Sequence, residues 1–163
     1  MADCISFFNG DWIPTEECKL DVFDRGLLMG DAVFDVARTY NGKPFKIERH
    51  FERMQRSLKY ARLDIGMTMD EFGKIIIEAV ERNQKHIPEV GDLIIWFFAT
   101  RGKGPWAWSA GPPAIGCRIA PVDFARYAPE FSTGAHGVIT KTKSHAPGTV
   151  EPKVKHYTRM NFA

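Results

Sequence analysis

Apolar positions change their period several times along this chain, and each change marks an element. The opening ISFFNGDWI sets two short apolar runs around Asn9-Gly10. Asn-Gly favours positive φ at both central positions of a two-residue turn, so this segment predicts an antiparallel hairpin. The same device recurs at Asn41-Gly42, between VFDVARTY and KPFKI. From Ile47 to Leu63 the period lengthens. Ile47, Phe51, Met54, Leu58 and Ala61 recur at spacings of four and three, one stripe of an amphipathic helix. Thr68 with Glu71 three residues on is a capping box, and Phe72, Ile76 and Ala79 supply the buried face of the helix it starts.

The run LIIWFFAT (93–100) is continuous, β-branched and aromatic, which predicts a strand buried on both faces. GKGPWAWSAGPP after it is a Gly/Pro-rich loop with two tryptophans, and AIGCRIAPV is a further strand. Over 122–133 the pattern weakens, with Pro121, Pro129 and Gly134 as punctuation. Beyond it HGVITKTK alternates like a strand, HAPGTVEP is a turn-rich loop, and VKHYTRMNFA reads as the start of a helix. These readings divide the chain into a small domain over 1–121, a linker over 122–133, and the incomplete start of a larger domain over 134–163. No repeat or low-complexity tract interrupts them.

The 163 residues are 44% hydrophobic and 26% charged, globular values that exclude wholesale disorder and collagen-like structure. A net charge of +2, from 22 basic and 20 acidic residues, leaves no footprint for nucleic acid. The longest apolar run, Leu93 to Ala99, is too short to span a bilayer, and MADCISFFNG lacks the regions of a secretory signal. Cys4, Cys18 and Cys117 are odd in number and show no CxxC pairing, so they read as reduced thiols in a cytoplasmic protein.

P-loop, G-x-G-x-x-G, H-E-x-x-H and G-x-S-x-G motifs are all missing from the sequence. His50, His86, His136, His145 and His156 lack i,i+4 partners, which argues against a metal site. Asp31 and Asp35 share a spacing compatible with paired carboxylates, a weak signal for general acid and base work. Lys155 lies between Val154 and His156-Tyr157. A lysine partly withdrawn from water there loses proton affinity and forms an imine with a carbonyl; the alternative is a solvated surface lysine. His50, Arg53 and Ser57 follow the helical rhythm on the shoulder of the apolar stripe, where a guanidinium reaches a phosphate or merely covers apolar surface. Arg101, at the end of the apolar strand, is either a substrate contact or a strand terminator.

The segment DRGLLMGDAVFDVARTYNGKPFKIERHFERMQRS resembles the N-terminal signature of class IV (fold type IV) pyridoxal-phosphate aminotransferases. That family includes branched-chain and D-amino-acid aminotransferases, (R)-selective amine transaminases and aminodeoxychorismate lyase. The marks are Asp24-Arg25-Gly26, Gly30-Asp31, Val33 to Val36, and His50-x-x-Arg53. FFATRG is similar to the strand ending in T-R-G of the D-amino-acid and (R)-amine branches, and VEPKVKHYTRMNFA to the segment around the Schiff-base lysine. These marks run in the family's order from residue 5 to the end.

The resemblance implies an α+β, fold type IV aminotransferase-like chain with a small N-terminal domain and the beginning of a larger β-rich one. It implies a transaminase moving an amino group between an amino donor and a keto acceptor on pyridoxal 5′-phosphate, with Lys155 as the Schiff-base lysine and Arg53 on the phosphate. Phe34, Arg101 and Trp106 would line the substrate pocket; Lys153 is a rival to Lys155 that fits the motif less well. A homodimer is implied too, with neither nucleic acid nor membrane as partner. The alternatives are a lyase of the same fold, or a non-catalytic fragment that serves as a dimerisation module. The chain departs from the pattern twice. Family members run to roughly twice this length, so this chain is expected to be part of something longer, without the glutamate that faces the pyridine nitrogen. The loop after T-R-G carries Trp106 where those branches have a carboxylate-binding arginine, which favours branched-chain or hydrophobic substrates.

Overall fold

The computed structural model describes residues 3–106, 109–143, 145–146 and 148–158. The first Asn-Gly turn joins β1 (Ile5–Phe8) to β2 (Asp11–Pro14), with Phe8 opposite Asp11. Asn9 at φ 50° and Gly10 at φ 102° supply the positive dihedrals that a two-residue hairpin needs. After a short helix α1 (Arg25–Met29), the second Asn-Gly turn joins β3 (Ala32–Tyr40) to the two-residue β4 (Lys43–Pro44). The apolar stripe becomes α2 (Ile47–Ala61), and the Thr68 capping box opens α3 (Met69–Arg82). A short α4 (Ile87–Val90) leads to β5 (Leu93–Thr100), β6 (Ala114–Pro121) and α5 (Phe124–Thr133).

The strands form one antiparallel sheet in the order β2-β1-β6-β5-β3-β4. Val33, Ala37, Leu93, Ile95, Phe97, Cys117 and Ile119 from one sheet face form a single buried cluster with Met54, Leu58, Phe72, Ile76 and Ala79 from α2 and α3. The burial of this apolar area is the main stabilising term of the fold.

Three sequence expectations need correction, and a fourth stretch gains an element. β5 is buried on one face only: Leu93, Ile95 and Phe97 lie under the helices, whereas Ile94, Trp96 and Phe98 are partly exposed on the other face. A continuous apolar run does not distinguish a doubly covered strand from one lined on its second face by half-open aromatic rings. The stretch 122–133, expected as a linker, is not a bare loop: it carries α5, capped by Asp123, whose side chain accepts from the Arg126 amide. None of its residues is buried, which is why it leaves no apolar stripe. Residues 136–143 form no strand and are exposed, because no strand among the described residues lies beside them to satisfy their backbone groups. Residues 154–158 are extended along β3 instead of starting a helix, and the remainder of that expected helix, 159–163, lies outside the described residues.

Candidate active site

Successive side chains of a strand point to opposite faces, so Phe34 and Asp35 of β3 serve two different environments. Asp35 points under α2 with its side chain fully buried, at 0% exposure. Arg53 grips it with two nitrogens: Nε donates to Oδ2 at 2.6 Å and Nη2 to Oδ1 at 2.6 Å. His50 Nδ1 lies 2.8 Å from Oδ1, and the Val36 amide donates to the same oxygen at 2.7 Å. Burial pushes the Asp35 carboxyl up, but the hydrogen bonds from Arg53 and His50 outweigh it and hold the group below the usual carboxylate range. The same pairing strengthens the hold of Arg53 on its proton. The Arg53 side chain is 40% exposed, and its third nitrogen, Nη1, makes no hydrogen bond among the described residues.

Phe34 points to the uncovered sheet face. Its ring stacks on Trp96 at 5.2 Å and tilts against Tyr157 at 4.4 Å. Trp96 Nε1 donates to the Tyr157 hydroxyl at 2.7 Å; burial pushes that phenol's pKa up, against the lowering effect of the hydrogen bond. Tyr157 reaches this wall because its segment lies antiparallel along the free edge of β3. The Phe34 amide donates to the Lys155 carbonyl at 3.0 Å, the Tyr157 amide donates to the Ala32 carbonyl at 3.1 Å, and Val33 lies opposite His156.

Lys155 is tied to α2 as well. Its amide donates to Ser57 Oγ at 3.2 Å, and that hydroxyl donates to the Arg53 carbonyl one turn back at 2.9 Å. The Lys155 ammonium lies 4.5 Å from the centre of the Phe34 ring, within cation–π range. Lys155 is thus tied by its backbone to the free edge of β3 and to α2, while its ammonium lies at the Phe34 ring and Arg53 is held on Asp35 beneath α2. Lys153 is exposed.

The other candidates lie elsewhere. Arg101 binds Asp31 through Nε and Nη2 at 3.1 and 3.2 Å, and donates to the carbonyls of Ala61 and Arg62 at 2.5 and 2.7 Å. It closes the C-terminal end of α2. Asp31, gripped also by Arg25 at 2.9 Å, belongs to this cluster and forms no carboxylate pair with Asp35. Trp106 is 76% exposed in its loop. The sequence places Ser57 beside Arg53 on the helix shoulder but gives it no partner, and it does not reveal Asp35 as the partner of Arg53 or Trp96 and Tyr157 at this site. Tyr157 was detectable two residues from Lys155 on an extended segment.

The group implied by the resemblance is a planar pyridine aldehyde with a phosphate arm. An amine held at an aromatic face suits the aldehyde end, and the remaining nitrogen of a fixed guanidinium suits the phosphate, so the residues present fit it. Among the described residues there is no cluster of potential metal ligands and no helix long and apolar enough to cross a membrane.

The antiparallel sheet with two helices on one face is the fold of fold type IV branched-chain aminotransferases. Two solved structures show the same fold. The T.th. branched-chain amino acid aminotransferase with pyridoxamine 5′-phosphate superposes with a TM-score of 0.75 at 23% identity, over 96% of this chain and 51% of that one. The Escherichia coli branched-chain enzyme gives 0.75 at 20% identity, over 95% and 52%. Residues 32–163 match the family model described as amino-transferase class IV, and the chain belongs to that family. D-Alanine aminotransferase of Staphylococcus haemolyticus is 36% identical over 109 residues, 67% of this chain and 37% of that protein. The matched part of the chain therefore covers well under half of that relative, and about half of the two solved structures.

Proposed function

We propose that the complete protein is a pyridoxal-phosphate-dependent transaminase, passing an amino group from an amino donor to a keto acceptor in two half-reactions. The observation that carries this reading is the placement of the Lys155 amine over Phe34, one hydrogen-bonded link from the helix that presents Arg53, in a chain of this family. When bound, the cofactor supplies an electron-withdrawing ring that acidifies the carbon–hydrogen bond of the substrate. Lys155 would hold the cofactor through Nζ, and as a free amine it would carry the proton at Nζ. Its backbone, held by Phe34 and Ser57, limits the positions that Nζ can take. Arg53 offers Nη1 to the phosphate. Phe34, Trp96 and Tyr157 exclude water from one side of the site and favour substrates with a hydrophobic or branched-chain side.

The division into a small domain over 1–121 and a larger one from 134 belongs to this reading. So does a homodimer, supported by the exposed apolar side chains of Val22, Phe23, Leu27 and Leu28. A cytoplasmic setting is supported by three cysteines that are all free. Borohydride reduction of the complete protein with pyridoxal phosphate, followed by peptide mass spectrometry, tests the core of the reading. The expected adduct lies on Lys155 and disappears in Lys155→Ala; an adduct that persists in that variant overturns the assignment.

A further inference from the structure

We infer that Asp35 is a positioning residue for cofactor phosphate: it fixes the guanidinium of Arg53 so that Nη1 alone faces outward. The inference rests on the assignment of Arg53 to the phosphate. Asp35 is fully buried, yet it is the most heavily bonded side chain of the site, receiving Nε and Nη2 of Arg53, His50 and the Val36 amide. Two parallel bonds at 2.6 Å lock the plane and rotation of a guanidinium that otherwise samples many rotamers. Asp35 itself cannot touch a ligand from beneath α2. A carboxylate beside a phosphate-binding arginine is electrostatically unfavourable for the anion. Its presence at full burial is explained if orientation outweighs that repulsion.

The two effects have opposite signs, which makes the test sharp. If Asp35 acts as a positioner, Asp35→Asn weakens phosphate binding; if its charge dominates, Asp35→Asn strengthens it. The measurement is the ratio of dissociation constants for pyridoxal and pyridoxal phosphate in the complete protein, followed by absorbance, which cancels any general loss of folded site. Asp35→Asn is expected to lower the preference for the phosphorylated form about tenfold. In an Arg53→Gln background, Asp35→Asn should then change nothing further. An unchanged or increased preference in Asp35→Asn overturns the inference while leaving Arg53 as the phosphate ligand. An unchanged preference in Arg53→Gln removes the assignment beneath it. Where Asp35→Asn does not fold, His50→Gln takes its place: it removes one of the side-chain bonds to Asp35 and should lower the preference by a smaller factor, and no change there overturns the inference too.

Discussion

At the scale of single residues, the site depends on groups whose charge is stabilised only by their neighbours. Asp35 is the clearest case, because its carboxylate has no water to fall back on. Its folded pKa lies below the ordinary value of about 4, so its contribution to stability is complete above that value and lost as pH falls through the lower folded one. Asp35→Asn should therefore cost about 2 kcal/mol at neutral pH, less than a deeply buried pair because Arg53 can turn to solvent. In acid the gap between the two proteins should close. Urea unfolding of both from about pH 6 to about pH 3 checks it, and a gap that stays constant counts against a paired carboxylate. Tyr157 makes a smaller contribution. Tyr157→Phe leaves the Trp96 indole N–H without its 2.7 Å acceptor and should cost about 1 kcal/mol, read as a lower thermal midpoint with altered tryptophan emission. Asp35 was visible in the sequence as one carboxylate of the F-D-V motif. Its partner was not, since the link from β3 to α2 depends on how the helix crosses the sheet.

At the scale of elements, what can be read locally separates cleanly from what cannot. Both Asn-Gly hairpins and the two main helices follow from turn chemistry, a capping box and a 3.6-residue period, all contained within a few residues. α5 escapes such a reading because it buries no residue, and the extended run at 154–157 escapes it because its partner strand is β3, far back in the chain. Arg101 shows how an element end can resemble a site in sequence. Its guanidinium satisfies the carbonyls of Ala61 and Arg62, acceptors that a helix end otherwise leaves without partners, and anchors them to Asp31. Arg101→Leu should lower stability by about 2–3 kcal/mol in denaturant titration. Because α2 also carries Arg53 and Ser57, the same variant should loosen cofactor binding; a variant of unchanged stability would return Arg101 to the role of a free substrate contact. Gly42 marks the other limit, since an added Cβ meets Ile87 Cδ1 at 3.0 Å at a φ of +76°.

At the scale of the whole molecule, the site closes a long loop of chain. β5 is flanked by β3 and β6 and covered by the helix layer, whereas the Lys155 segment is an edge piece, joined to β3 by two backbone hydrogen bonds, to α2 by the Ser57 hydroxyl and to Phe34 and Trp96 through Tyr157. Loop closure over so many residues carries an entropic penalty, which an edge segment offsets less fully than a central strand does. Protection against amide exchange should therefore fall into two classes. The amides of β5 should exchange only with global unfolding, and those of Phe34 and Tyr157 through a local opening that detaches the Lys155 segment from β3. A cofactor held by both Lys155 and Arg53 binds only the closed arrangement, so it should slow Phe34 and Tyr157 by the factor that mass action sets, far more than it slows β5 relative to its own limit. Pyridoxal phosphate reduced onto the lysine should hold that protection permanently. Exchange followed by mass spectrometry with and without the cofactor decides it. Equal protection of both classes before addition would mean that the edge strand is part of the core, and the site would then be preformed instead of being assembled on binding.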